Sequence, residues 1–282
     1  MSADIFGGQP SDPDMLAAVY DLEHDEVVED FAFYRELARR AGGAVLDLGC
    51  GSGRLFGSLL QRGVQRLVGV DGSPALLRRA RERLRAQPEL AVAQDDGRLV
   101  LLEGDVRHLS RDRLREALGA RASLVVLAGV LPHLDGPEDA LAMLSGLRPL
   151  LAPRGVAVLD DIGPGQLPTR DLPLSLDWRR VVDGRDVVRR SQLQVRQAPE
   201  GLRVAFSTLV DVGQPDGTIA RLPASHRLWY PSGEALTALV GKAGLAVELS
   251  YGSHDLEALA PNSDRRIFVV RRATDEGQIG TA

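Results

Sequence analysis

The chain has 282 residues, of which 44% are apolar and 26% charged, with a formal charge of −5 and a single cysteine. This is the balance of a globular protein, long enough for a core domain with an inserted or appended cover, and it excludes a disordered or collagen-like chain. It also excludes an intrachain disulfide, and the acidic charge argues against a nucleic-acid partner, because phosphate binding leaves a basic footprint.

The longest apolar runs, at 99–102 and 124–130, are too short to span a bilayer, so no membrane partner is expected. Residues 1–14 are acidic and rich in Gly and Pro, without the basic-then-apolar order of a secretory signal. Together with the lone Cys50, this predicts a cytoplasmic protein.

Short apolar runs at 44–49, 66–71, 99–105, 123–129 and 155–161 predict buried strands. Amphipathic stretches at 54–62, 73–87 and 137–151 predict the helices between them. Such alternation predicts an α/β fold with a parallel sheet covered on both faces, whose strand C-termini form the ligand-binding edge. Arg78, Arg79, Arg81, Arg83 and Arg85 lie opposite an apolar stripe of Ala75, Leu76, Ala80 and Leu84 and predict a solvated helix surface.

The rhythm changes after Asp161. Residues 162–173 are rich in Gly and Pro, and extended runs follow at 178–182, 186–196, 202–212 and 218–229. Turn signals at Asp183-Gly184, Pro199-Glu200-Gly201 and Pro215-Asp216-Gly217 separate them, which predicts an antiparallel unit. A helix at 232–243 and strands at 245–251 and 265–271 come next, before a tail from about Ala273.

The sharpest local feature is Ala44-Val45-Leu46-Asp47-Leu48-Gly49-Cys50-Gly51-Ser52-Gly53, an apolar strand running into a glycine-rich turn. Glycines let the backbone turn sharply and let a ligand approach main-chain N–H groups. The G-x-G-x-G spacing, with Arg54 next, departs from the G-x-G-x-x-G of dinucleotide enzymes. Asp47 stands where its carboxylate can accept from a ligand ammonium or order the turn. The next strand ends in Val68-Gly69-Val70-Asp71, and an acid there can accept both hydroxyls of a ribose. The third ends in Glu103-Gly104-Asp105-Val106. Taken singly, Asp71 also reads as a turn former and Asp105 as a helix cap.

This ordered set resembles the motifs of class I S-adenosylmethionine (SAM)-dependent methyltransferases over residues 44–161. The resemblance implies a Rossmann-like, seven-stranded, mostly parallel sheet with a reversed final strand pair. An antiparallel β insert would cover the substrate pocket. It implies SAM as cofactor and S-adenosylhomocysteine as product. Expected cofactor contacts are Asp47, Gly49, Cys50, Gly51, Asp71, Gly72, Asp105, Val106 and Ala128, with Asp105 facing the adenine amino group. Tyr20-Asp21 and Phe33-Tyr34 are similar to the N-terminal helical cover of small-molecule methyltransferases. There an aromatic hydroxyl often reaches the SAM carboxylate, so Tyr20 reads either as a cofactor contact or as a lid residue. The segments His226-Arg227-Leu228-Trp229-Tyr230 and Tyr251-Gly252 also resemble that group. The implied division is a cover at 1–43, a SAM-binding core at 44–170, a substrate cover at 171–230 and the end of the core at 231–282.

The fourth strand ends in Leu127-Ala128-Gly129-Val130-Leu131, without the Asn/Asp-Pro-Pro-Tyr sequence of base and amide N-methyltransferases. It offers no carboxylate for a catechol-type divalent metal, and no histidine has zinc-ligand spacing with Cys50, so no metal is expected.

Methyl transfer from a sulfonium gains much from alignment, and a base helps when the acceptor must lose a proton. His133 follows the fourth strand at the ligand edge and reads either as that base or as a packing residue. Asp160 and Asp161 close the fifth strand, where alternation turns only one of them to the substrate; Asp161 is the candidate. Trp178, His226, Arg227 and Tyr230 are candidate acceptor contacts from the cover. The expected function is N- or O-methylation of a small-molecule acceptor in biosynthesis, with a homodimer compatible. Two rivals stand beside it: a SAM-binding protein that transfers no methyl group, and an NAD-dependent oxidoreductase. The glycine spacing and the lack of a Tyr-x-x-x-Lys pair disfavour the latter.

Overall fold

The computed structural model describes residues 12–273 apart from Leu109. The tail expected beyond Ala273 and most of the Gly/Pro-rich start lie outside the described residues. Two helices, α1 (Asp12–His24) and α2 (Phe31–Ala41), precede the first strand. The alternating part runs β1 (Gly43–Leu48), α3 (Phe56–Leu59), β2 (Val64–Asp71), α4 (Pro74–Ala86), α5 (Pro88–Asp95), β3 (Leu99–Glu103), α6 (Arg111–Leu118), β4 (Ala122–Ala128), α7 (Pro137–Leu147) and β5 (Leu151–Ile162). Four long strands follow, β6 (Leu172–Val182), β7 (Arg185–Ala198), β8 (Gly201–Gly213) and β9 (Ile219–Pro231). Helix α8 (Gly233–Lys242), β10 (Leu245–Tyr251) and β11 (Arg265–Arg272) return to the core.

Seven strands form one sheet in the order β10-β11-β5-β4-β1-β2-β3, and β6-β7-β8-β9 form a second, antiparallel sheet. The fold is thus the expected α/β architecture with an antiparallel cover. One detail differs. β11 is antiparallel to both β5 and β10, so β10 runs with the parallel strands and only one strand is reversed.

The core follows from period-two alternation on strands buried on both faces. Leu46 and Leu48 of β1 pack with Met143 and Leu147 of α7 and Leu236 of α8. Val45, from the opposite face of the same strand, packs with Tyr34 of α2, Phe56 of α3 and Leu77 of α4. Ser73 and Ser110 cap α4 and α6, each accepting a backbone N–H from the first turn, and Pro74 supplies the preset φ of a first helical residue. The helix expected at 54–62 shrinks to one turn, because the glycine loop takes up residues through Gly53 and a second turn begins at Leu60. Helices α5 and α6 have no counterpart in the sequence expectations. Only Leu90 and Ala93 of α5, and Leu114 and Leu118 of α6, are buried, too few for a visible stripe.

The arginine run of α4 is only in part a solvated surface: Arg78 and Arg85 are exposed, but three of the five arginines pair with acids. Arg78 pairs with Asp14 and Arg79 with Asp21 at 2.5 Å, both acids of α1, and Arg83 with Asp25, just past its end, at 2.6 Å. The other side of α1 is apolar: Met15, Ala18 and Val19 pack on Val187, Val210, Val212 and Leu222 of the second sheet. Helix α1 therefore joins the cover through burial of apolar surface and the core through charge. Replacing Arg79 and Arg83 together by Ala should cost α1 about 1–2 kcal/mol, enough for roughly tenfold faster amide exchange. Hydrogen exchange by mass spectrometry should show this in α1 and leave β1 and β4 protected as before.

Candidate active site

The glycine loop is built by backbone conformations that side chains disfavour. Gly49, Gly51 and Gly53 all have φ between 55° and 79°. The Gly49 and Cys50 amides both donate to the Val70 carbonyl, at 2.8 and 3.0 Å, which ties the turn to β2. The Gly51 amide donates to Asp71 Oδ2 at 2.8 Å, and Asp71 Oδ1 accepts the Ser73 amide at 2.8 Å. Asp71 thus organises both the loop and the start of α4. A Cβ at Gly51 would stand 2.9 Å from the Tyr20 hydroxyl, and one at Gly49 would stand 2.6 Å from Val130 Cγ2. The loop must stay bare for α1 and the segment after β4 to close over it.

These elements border a cleft of about 650 Å³ at the C-terminal ends of the parallel strands. It brings together ten of the expected residues: Tyr20, Gly49, Gly51, Asp71, Gly72, Asp105, Val106, Ala128, His133 and His226. A second space of about 610 Å³ lies between α1 and the antiparallel sheet, and it shares Tyr20, Leu76, His133 and His226 with the cleft. The two are one continuous opening, a cofactor-sized part on the core and a chamber under the cover.

Asp47 and Cys50 do not line it. Asp47 is buried at the end of β1 with Oδ2 unpartnered, and burial, then the charge of Asp71, pushes its carboxyl up to about 7. The Cys50 thiol packs toward Gly69, and burial, then Asp47 and Asp71, pushes it well up. It is a packing group, not a reactive one. Asp105 lines the cleft, with its carboxylate held by Arg107 at 2.6 Å and its ionisation favoured by that hydrogen bond.

The adjacent acids of β5 point opposite ways. Asp160 accepts the Tyr34 hydroxyl at 2.6 Å, meets His254 Nε2 at 2.8 Å and is held by Arg265 at 2.9 Å. Burial opposes its ionisation, but His254, Arg265 and Tyr34 together keep the carboxyl below the usual range. Asp161 faces the other way with Oδ1 buried and unpartnered, and burial, then the charge of Asp160, raises it to about 7. Neither lines the cleft or the chamber.

Trp178, Arg227 and Tyr230 also stand outside both spaces. The Trp178 indole donates to Glu23 of α1 at 3.0 Å with Arg180 over its ring, so it fastens the cover to α1. Arg227 projects from the face opposite His226, into a separate space bordered by Leu134, Asp135, Arg196 and Arg203. Tyr230 is near Asp161, and burial, then that acid, pushes its phenol up to about 12. The chamber is instead lined by Glu23, His24, Arg189, Phe206 and Thr208, none of which the sequence pointed to. The one available signal was register: Phe206 is the cross-strand partner of His226, so both project from the same face.

His133 ends the 3-10 turn after β4, at the junction of cleft and chamber. Burial, then the charge of His226, holds its imidazole below the ordinary histidine value, so it is neutral at pH 7 and able to accept a proton. Tyr20 sits over the glycine loop, with its phenol pushed up to about 12 by burial and then by Asp71. It is a hydrogen-bond donor at any working pH. Among the described residues, no group of three or more His, Cys, Asp or Glu is placed to hold a metal.

The residues present fit SAM. The main chain at Gly49 and Gly51 is open to a ligand, carboxylates stand at the ends of β2 and β3, and a buried acid without a partner lies at the end of β1. Residues 46–157 match the family model described as a methyltransferase domain. Among curated proteins, the ribosomal RNA small subunit methyltransferase H of Synechococcus sp. (strain JA-3-3Ab) is 28% identical over 209 residues, 74% of this chain. The chain spans 62% of the length of that relative. Among solved structures, the CcbJ methyltransferase from Streptomyces caelestis is similar at a TM-score of 0.67 and 23% identity, over 96% of both chains. CalS10, an amino pentose methyltransferase from Micromonospora echinaspora, is similar at 0.64 and 24%, over 92% of this chain and 97% of the other. The fold is that of the class I methyltransferases. The family match, to a methyltransferase domain, covers residues 46–157, less than half of the chain.

A folded-state pKa above the unfolded one means that the native state holds more protons, so stability falls as pH rises through that window. Asp161, raised to about 7 from 3.8, should therefore cost stability between about pH 4 and pH 7. Asp161→Asn removes the charge without changing the shape. The variant should be more stable than the native protein at pH 8, by on the order of 1 kcal/mol or more, with the gap closing below about pH 5. Urea midpoints measured across this range check it.

Proposed function

We propose that the protein transfers the methyl group of SAM to a nitrogen or oxygen of a small-molecule acceptor, as a metal-independent enzyme of the cytoplasm. The observation that carries this is the continuous opening: a cleft at the strand ends joined, through Tyr20, Leu76, His133 and His226, to a chamber roofed by the second sheet. SAM, when bound, supplies an electrophilic methyl group on a sulfonium centre.

The chain's own residues supply position, exclusion of water and a proton acceptor. Asp71 would accept the ribose hydroxyls while still holding the glycine loop, and Asp105 would face the adenine amino group. Asp47 favours a positive charge at the β1 end of the site, because a cation there offsets the cost of its buried carboxylate. Tyr20 and α1 close the opening from above and keep water from the reacting atoms. His133 takes the proton that the acceptor loses, an O–H or N–H hydrogen passing to a neutral imidazole at the mouth of the chamber. A chamber of about 610 Å³ lies within the range of small-ligand pockets and suits a sugar-sized acceptor. Amine acceptors like that named for CalS10 are the first to try. The curated relative is named for ribosomal RNA, but an acidic chain with a chamber of small-ligand size favours a small molecule here.

Calorimetry is expected to show SAM and S-adenosylhomocysteine binding and no NAD binding; the reverse would overturn the proposal. Asp71→Ala should weaken S-adenosylhomocysteine by at least ~1.5–3 kcal/mol, the worth of one hydrogen bond to a charged group. With an acceptor in hand, His133→Ala should lower kcat by about 10²–10⁴-fold and leave cofactor affinity unchanged. A loss below tenfold would assign His133 to packing and leave alignment to carry the reaction.

A further inference from the structure

His133 belongs to the core, but its nearest ionisable ring belongs to the cover. The His133 and His226 ring centroids are 6.0 Å apart, edge to face at 84°. Both line the cleft and the chamber, so they flank the passage between the two. His226 is itself held in place. Its ring stacks on Phe206 at 6.3 Å and 28°, the residue opposite it across β8 and β9, and the Arg189 guanidinium lies over the Phe206 ring at 5.5 Å. Arg189 is in turn paired with Glu23 of α1 at 2.7 Å. The position of the His226 ring thus depends on the cover being seated against α1.

We propose that His226 is a positioning residue that, brought to the core by the cover, keeps His133 free of a proton and ready to accept one. This rests on His133 acting as the base. Two imidazolium charges at this separation repel, so a proton on one disfavours a proton on the other. From the core edge, His133 is also faced by Asp71, Glu103, Asp105 and Arg107, and Asp71 pulls its proton affinity up. From α1 it is faced by Tyr20, Glu23 and His24, and from β7 by Arg189. Arg189 is shared by Glu23 and by Asp177 of β6, and of the cover's groups it is His226 whose charge reaches His133. A lifted cover exposes His133 to water and withdraws His226. Both changes favour the protonated, inactive form. The seated cover therefore lowers the share of His133 that carries a proton.

The test is an NMR titration of the full chain labelled at histidine 13Cε1, without cofactor or acceptor. The His133 resonance is identified by its loss in His133→Gln. In His226→Gln its midpoint should move up, yet remain under the ordinary histidine value because burial persists. In His226→Lys, which places a permanent charge at the same point, the midpoint should move down. The resonances of His24, His108 and His254 serve as the control that both variants are folded. Opposite movements support the proposal, because a merely structural disturbance would not reverse sign with the charge introduced. A midpoint unmoved in both variants, or moved the same way in both, overturns it. The titration decides the role of His226 and the turnover of His133→Ala decides the base, so the two failures are separable.

Discussion

Helix α1 has to satisfy two unlike surfaces at once, and the architecture of the site depends on that. Met15, Ala18 and Val19 on one side need apolar cover, which the second sheet provides. Asp14 and Asp21 on the other, with Asp25 just past the helix end, need cations, which α4 provides as Arg78, Arg79 and Arg83. Between these faces Tyr20 comes down on Gly51, where a single Cβ would not fit. The same helix thus borders the cleft, walls the chamber and holds the cover to the core. Without the bare glycine loop beneath it, α1 could not sit low enough to do all three.

The parts visible in the sequence were those set by local rules. Strand alternation gave the two-faced sheet, and the glycine spacing with Asp71 located the cleft, because a turn needing left-handed conformations admits few residues. The switch to long extended runs after Asp161 announced the cover. What stayed hidden depended on contacts distant in the chain. The arginines of α4 look solvated until α1, some sixty residues away, is laid against them. Trp178 had the makings of a substrate contact, but its indole N–H is taken by Glu23. The chamber residues Glu23, Arg189 and Phe206 come from three different elements and share no motif.

Asp47, Asp160 and Asp161 show how three acids near one sheet edge come to differ. Asp160 collects a phenol, an imidazole and a guanidinium and stays ionised in a buried place. Asp161, one residue on, faces the other side of the sheet and has no partner for Oδ1. Asp47 has the same lack beside the cofactor cleft, where an arriving positive charge can answer it. Desolvation acts on all three; the hydrogen-bond donors available on each face of the sheet decide the outcome.

The link between Trp178 and Glu23 spans 155 residues, and this sets an order on how the protein is made. A chain leaving the ribosome at about 5–20 residues per second exposes α1 roughly ten to forty seconds before the strands that will cover its apolar side are complete. The arginines of α4 emerge much sooner. The nascent helix can then be parked on the core by its charged face, with Met15 and Val19 still bare and open to chaperones. The ionic seam between α1 and α4 joins stretches some sixty residues apart, whereas the apolar seam of α1 joins stretches nearly two hundred apart.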